Sequence, residues 1–378
     1  MTRLFRGAMA LAVAVCTAAL TGCSSSTGPS SVTLSDPPGL SGDVQSLGTP
    51  FQAPAFQGLA AVSAGTTPLA RTTGLLAALS PIKPTSEPRL SSARRALAVR
   101  AISPSLASAP TGPGSLIPTT YWGHVFVWDL TSGQYVDGGS TGGPATGVRF
   151  ILYALDPLTG MPAAPLAPVG YADLTDVSTN TQYKLAVLVA DATTTYADYV
   201  VAVTTTPSSF LAQATGYISD GTHRLDFSNN ASVTASQVGL DYSLALNQPA
   251  VSAHLVATLA IGSSTSVLTV TFGVTRGSET VVLSGTLTVT QTPSGFTAVA
   301  SFVITVNGGQ FAAITGTAQS GASASFTYVG PGRALTPAEH DALDRLLEAP
   351  GVLSTTVDGV FAPVEHLLGT SQSLTLPG

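Results

Sequence analysis

Two cysteines in 378 residues leave this chain almost no thiol chemistry. Cys16 and Cys23 are too few for a four-ligand zinc knot, and nothing in their spacing suggests a disulfide framework. Charge is scarce as well. Asp, Glu, Lys and Arg make up 9% of the residues, against about 25% in ordinary globular proteins. Basic residues number 14 against 20 acidic ones, which speaks against nucleic acid as a partner, because phosphate backbones are held by clustered Lys and Arg. Of the motifs that announce a reaction, no His-Glu-x-x-His, P-loop or Rossmann glycine pattern occurs. The five histidines (His124, His223, His254, His340, His366) are scattered, with none at metal-ligand spacing from another. Ser, Thr and Gly carry the polar role instead, as on sheets with Thr-rich outer faces.

What the chain does have begins at its first residues. Arg3 and Arg6 form a positive start, and Gly7 to Leu20 (GAMALAVAVCTAAL) is an apolar run of secretory length, short of the roughly 20 residues that span a bilayer. Leu20-Thr21-Gly22-Cys23 follows. This stretch resembles the lipobox of bacterial lipoproteins, an apolar residue and two small ones before Cys. The resemblance covers about the first 26 residues and implies cleavage before Cys23, lipidation of that cysteine, and a bacterial envelope protein held by its lipid. Ser24 implies outer-membrane sorting by the enterobacterial rule. Two or more acyl chains anchor stably where one gives only marginal binding. With Cys16 removed and Cys23 lipidated, the mature fold stands on packing alone.

Loss of Arg3 and Arg6 with the leader takes the basic count from 14 to 12 against 20 acidic residues, a formal charge of −8. The charge is unevenly placed and divides the chain. Residues 1–22 read as signal peptide. Residues 23–120, rich in Pro, Ser, Gly and Ala and net basic, read as a disordered tether. Within it, Arg89 to Ser103 reads as a basic helix or as unstructured chain. Residues 121–330 are strongly acidic and read as an antiparallel β-domain, and 331–378 as a helix with an extension packed on it.

Period-two alternation is clearest after Gly239. Leu240, Tyr242, Leu244 and Leu246 share a face, as do Val251, Ala253, Leu255, Ala257, Leu259 and Ile261, then Leu268, Val270, Phe272 and Val274, then Val281, Leu283, Leu287 and Val289, then Phe296, Phe302, Ile304 and Val306. A two-residue turn at Gly277-Ser278 sets Arg276 opposite Glu279, Phe272 opposite Leu283 and Leu268 opposite Leu287. The next hairpin, closed around Pro293-Ser294, places Phe302 in the core opposite Gly285, its ring over the bare backbone. A one-residue slip would turn every apolar set outward, so the registers test one another. The fold class expected is all-β: a large antiparallel meander of ten to thirteen strands, forming a sandwich or an open or closed barrel, with a C-terminal amphipathic helix. A membrane-spanning barrel fits less well, because the aromatics form no paired girdles. The helix signal is Thr336-Pro337-x-Glu339, a capping box with Pro at the first position. Ala342, Leu343, Leu346 and Leu347 form its apolar stripe, and Glu339, Asp341, Asp344, Arg345 and Glu348 its wet face.

Two constellations remain. Alternation puts Trp122, His124, Phe126 and Trp128 on one face of a strand, a candidate strip for sugar rings or an apolar ligand if exposed, and core if buried. Asp173, Asp176, Asp191 and Asp198 are the calcium candidates, though turn-forming Asx chemistry accounts for most of them. Neither a metal nor a cofactor is expected. The function expected is a non-catalytic interaction module of the cell envelope, binding an envelope protein, a glycan or an apolar ligand. A carrier enclosing a lipid is the alternative, and an enzyme the third reading. A continuous apolar cavity marks the carrier, a filled core the module, and a cleft with a His-carboxylate pair the enzyme.

Overall fold

The computed structural model describes residues 32–64, 115–206, 208–292, 295–319, 325–330, 332–350, 353 and 360. Residues 1–31, with the expected leader and Cys23, the stretch Arg89 to Ser103, the turn residues Pro293 and Ser294, and most of the extension expected after the C-terminal helix lie outside the described residues. Two units divide the chain, with a boundary between Ser228 and Asn229, inside strand β8 (Arg224–Thr234).

The unit that ends at Ser228 holds helix α2 (Pro54–Ala64) and strands β1 (His124–Asp129), β2 (Gln134–Thr141), β3 (Gly147–Tyr153), β4 (Pro168–Asp176), β5 (Tyr183–Ala190), β6 (Thr195–Thr206) and β7 (Ser209–Ser219). The second unit, which joins the chain up to Leu47 to the chain from Asn229 on, holds helix α1 (Pro37–Ser46) and strands β9 (Gln237–Leu246), β10 (Val251–Ile261), β11 (Thr265–Arg276), β12 (Glu279–Thr292), β13 (Gly295–Val306), β14 (Gly309–Gln319) and β15 (Ser325–Val329). Helix α3, residues 337–350, closes it. Among the described residues, fifteen strands thus replace the ten to thirteen expected. Their order runs from β15 down to β3, then β1 and β2. The meander is mostly antiparallel, with β1 and β3 parallel. It is an open sheet, with β15 and β2 at its two ends.

In the second unit the predicted registers hold. Arg276 faces Glu279, Val274 faces Val281, Phe272 faces Leu283 and Leu268 faces Leu287. Gly285 faces Phe302. The turn rests on Gly277 at φ +54°, a conformation open to glycine at little cost. One inner row, Tyr242, Leu255, Phe272, Leu283 and Ile304, crosses β9 to β13, and each member is 2% exposed or less. Burying a side chain of this size contributes about 1.5–3 kcal/mol. Three residues along, the outer face carries a hydroxyl row, Thr258, Thr269, Thr286, Ser301, Thr315 and Thr327. Phe302 departs from expectation. It is half-buried rather than core, packed against the cluster of Leu287, Val289, Ala298, Ala300 and Ala318. Its ring still covers Gly285, where a Cβ would stand 2.7 Å from Phe302 Cδ1.

The capping box of α3 is present: Thr336 N–H donates to Glu339 Oε2 (2.8 Å), and Glu339 N–H to Thr336 Oγ1 (3.3 Å). Ala342, Leu343 and Leu346 are buried, as the stripe required. Glu339 does not face water; it is 3% exposed and forked by Arg333.

The tether expected over 23–120 is corrected at both ends. Asp36 caps α1 through Gly39 N–H (3.1 Å), with Pro37 just behind it. Leu40 and Leu47 are fully buried. Arg276 donates to Asp36 O (2.9 Å) and Asp36 Oδ2 (3.0 Å), and its Nε lies 3.1 Å from Asp43 Oδ2. In the first unit, α2 buries Ala55, Phe56, Leu59 and Val62. A Cβ on Gly58 would be 3.3 Å from Leu152 Cβ, so glycine lets α2 approach β3. The chain is described again from Ser115, before the boundary at 121: Leu116 and Ile117 are buried, and Asp176 Oδ2 accepts from Leu116 N–H and Ser115 Oγ, both at 2.6 Å. A low-complexity composition conceals such elements, because helices this short are held by tertiary packing more than by propensity.

Candidate functional site

Half of the aromatic strip is core: Phe126 and Trp128 are buried, whereas Trp122 and His124 are half-buried. Strand β1 begins only at His124, because a 3-10 turn at Thr119–Tyr121 and Gly123 at φ +80° break the alternation before it. Trp122 therefore leaves the row and donates from Nε1 to Ile117 O (3.0 Å). A bulge also falls between His124 and Phe126 in the pairing with β2. Phe126 is fully buried and Trp128 is 5% exposed. Phe126 stacks on Phe150 at 5.1 Å, and Trp128 and Phe150 each meet Tyr135 edge-on at 5.3 Å. Tyr135 donates its hydroxyl to Ile151 O (3.0 Å), and burial pushes its pKa well up. Edge-on and offset contacts of this kind are packing geometry. The strip offers no exposed platform.

Three histidines pair with carboxylates: His124 with Asp137 (2.7 Å), His223 with Asp220 (2.7 Å) and His254 with Asp241 (2.9 Å). The first and third join neighbouring strands, and the second sits within one turn. Residues 138–142, Gly-Gly-Ser-Thr-Gly, have the spacing of a nucleophile elbow. They run along β2 and just past it, not through the strand-to-helix turn that this chemistry needs.

The four acidic candidates do not converge. Among the described residues no group of three or more metal-ligating side chains gathers. Asp176 holds Ser115 and Leu116 ahead of β1; burial raises its pKa, but the Ser115, Ser178 and Leu116 hydrogen bonds outweigh that and leave it lowered. Asp191 caps the turn between β5 and β6. Its Oδ1 accepts from Thr193 N–H (2.7 Å), Thr193 Oγ1 (3.0 Å) and Thr194 N–H (2.7 Å), and its Oδ2 from Tyr196 OH (2.7 Å). The Tyr196 hydroxyl, followed by the two amides, holds the carboxyl well below its usual range, and Asp191 in return raises Tyr196.

Asp173 leads to the site itself. Strand pairing sets it opposite Arg149, whose Nε and Nη2 donate to Asp173 Oδ1 and Oδ2, both at 2.7 Å. The guanidinium lies 3.9 Å from the centroid of the Tyr171 ring. Fork geometry and a ring face fix this arginine twice over. Arg149 borders two clefts. One, of about 260 Å³, is also lined by Gly143, Asp173 and Asp198. The other, of about 730 Å³, runs between Pro54 and Ala55 at the start of α2, Tyr171 on β4, and Asp191, Thr193 and Tyr196.

Two irregularities border the larger cleft. Register shifts occur between Leu152 and Tyr153 against β4 and between Val189 and Ala190 against β6. Gly170, at φ +152°, lies between them, where a Cβ would stand 2.6 Å from Ala190 O. Bulges bend a strand and re-aim its side chains, and they recur beside binding sites. Neither a histidine nor a cysteine lines either cleft. The larger cleft offers ring faces, hydroxyls, guanidinium N–H groups and carboxylate lone pairs.

Compared with protein-family models, curated proteins and solved structures, the chain matches none. Of the residues lining the two clefts, Asp173, Asp191 and Asp198 stand out in the sequence, though as calcium candidates. Arg149, Tyr171 and Tyr196 do not. The available signal was Arg149 itself, the one charge in the apolar stretch 147–155, which calls for an acidic partner on a neighbouring strand.

Proposed function

We propose that this chain is a lipid-anchored, non-catalytic interaction module of the bacterial cell envelope. The observation that carries the reading is Leu20-Thr21-Gly22-Cys23 behind a positive start and an apolar run, a combination that addresses a protein to membrane lipid through one cysteine. The packed inner rows, with Phe126, Phe150 and Phe272 all at 2% exposure or less, favour a filled β-domain over a lipid carrier. The His-Asp pairs border neither cleft, and this weighs against the enzyme reading. Binding would fall to the bulge-bordered cleft at Arg149 and Tyr171, in place of an aromatic strip whose Phe126 and Trp128 are buried.

Detergent phase separation of the parent and of Cys23→Ala tests the anchor. The parent is expected in the detergent phase and the variant in the aqueous phase. A variant that partitions with detergent as strongly as the parent overturns the reading.

A further inference from the structure

We infer that the cleft between the start of α2 and residues 191–196 binds a neutral sugar chain, an inference that rests on the module reading above. Charge is the first argument. Arg149 commits two N–H groups to both oxygens of Asp173, and Asp191 accepts four hydrogen bonds from its own turn and Tyr196. An anionic or cationic ligand therefore finds no unpaired counter-charge and would have to disturb a settled pair, which is costly where the pair is partly desolvated. A neutral ligand matches a site whose charges are already balanced.

The second argument is surface chemistry. A sugar ring has apolar C–H faces and a rim of hydroxyls. Tyr171, Tyr196, Pro54, Pro168 and Ile151 line the cleft with ring and aliphatic surface. Arg149 Nη1 takes no part in the fork with Asp173, and hydroxyls and carboxylates retain lone pairs for a sugar's O–H groups. A lipid tail fits poorly here, since apolar ligands are held in concave sites that bury most of their surface and this wall carries Arg149, Asp191 and Thr193.

The third argument is construction. The bulges at Leu152/Tyr153 and Val189/Ala190 sit on two neighbouring strand pairs and flank the same cleft, whereas the registers from β9 to β13 run without a shift. Interrupted ladders at one place shape a site rather than a core.

The test is isothermal titration of the whole mature chain, made soluble by Cys23→Ala, with chitohexaose, maltohexaose and a sulfated heparin hexasaccharide. At least one neutral hexasaccharide is expected to bind with a Kd below about 1 mM, and the sulfated one to bind at least tenfold more weakly. Tyr171→Ala is expected to weaken binding about tenfold, and Val299→Ala, on the outer face of β13, to leave it unchanged. Should Tyr171→Ala fail to fold, Tyr196→Ala reads the same cleft. No binding of either neutral sugar, preference for the sulfated one, or equal binding by folded Tyr171→Ala or Tyr196→Ala overturns the inference. A photo-crosslinker at Thr193 that captures an envelope protein when no sugar binds would overturn the sugar and leave the module reading standing. Failure of the Cys23 partition test would remove that reading itself.

Discussion

Strands β9 to β13 and strands β1 to β6 are built from the same alternation, yet only the second set is interrupted. In the first set every register from Gln237 to Val306 is continuous, and the outer face is mostly Thr, Ser and Val, with the His254–Asp241 pair as a polar contact across strands. In the second set shifts occur at three places, and the outer face carries Arg149, Tyr171 and Asp173. The difference teaches that the inner face sets the fold in both regions, while chemistry collects where the ladder is bent. A regular ladder has no concavity, because each side chain stands beside its neighbour at strand spacing. A bulge removes that regularity and makes room for a cleft.

The comparison can be broken first at the inner faces, where the two regions are expected to behave alike. Phe272→Ala and Phe150→Ala should each cost about 3–5 kcal/mol in urea melts, whereas Thr271→Ala, on the outer face beside Phe272, should stay within about 0.5 kcal/mol. Near-equal losses for Phe272→Ala and Thr271→Ala would mean that the inner face is wrongly chosen.

Next in size is Glu339. Arg333, with help from the Thr336 amide and hydroxyl, lowers its pKa to about 2 against 4.5 for a free side chain. A depressed carboxyl contributes stability that is complete above its unfolded pKa and is lost as pH falls through the folded one. Stability should therefore decline from about pH 4.5 to pH 2, and Glu339→Gln should remove about 3 kcal/mol at pH 7 and flatten that part of the profile. An unchanged acid limb in the variant would count against the buried ion pair.

A smaller effect sharpens the contrast between outer faces. Asp173→Asn should cost about 1.5–3 kcal/mol, since Arg149 loses a charged partner. Val299→Thr, on the uncharged outer face of β13, should fall within about 0.5 kcal/mol of the parent. Equal effects at the two positions would erase the distinction drawn between the regions.

Legibility follows the same division. The pairings from Arg276–Glu279 to Gly285–Phe302 could be read from the sequence because short turns leave a period-two pattern a single register. The α3 cap could be read because Thr336 and Glu339 satisfy each other locally. Asp36-Pro37 uses related capping grammar for α1, but it is surrounded by Pro, Ser and Gly, and composition masked it. The cleft was hidden for a different reason. Its parts come from the start of α2, from β3 and β4, and from residues 191–196, and what joins them is a pair of bulges that no local pattern announces. Only the lone Arg149 in an apolar strand hinted at a partner.

The clamp of Arg276 on Asp36 and Asp43 also has a consequence in time. The two ends of that contact are 240 residues apart, and Ser41 reaches Asp341 across 300 (3.4 Å). Closing so long a loop in an unfolded chain costs on the order of 5 kcal/mol, more than such polar contacts return. Helix α1 therefore docks only after the meander has drawn its far end close. Through most of synthesis, the segment Pro37–Ser46 waits undocked, and its arrival on the sheet is expected among the last events of folding.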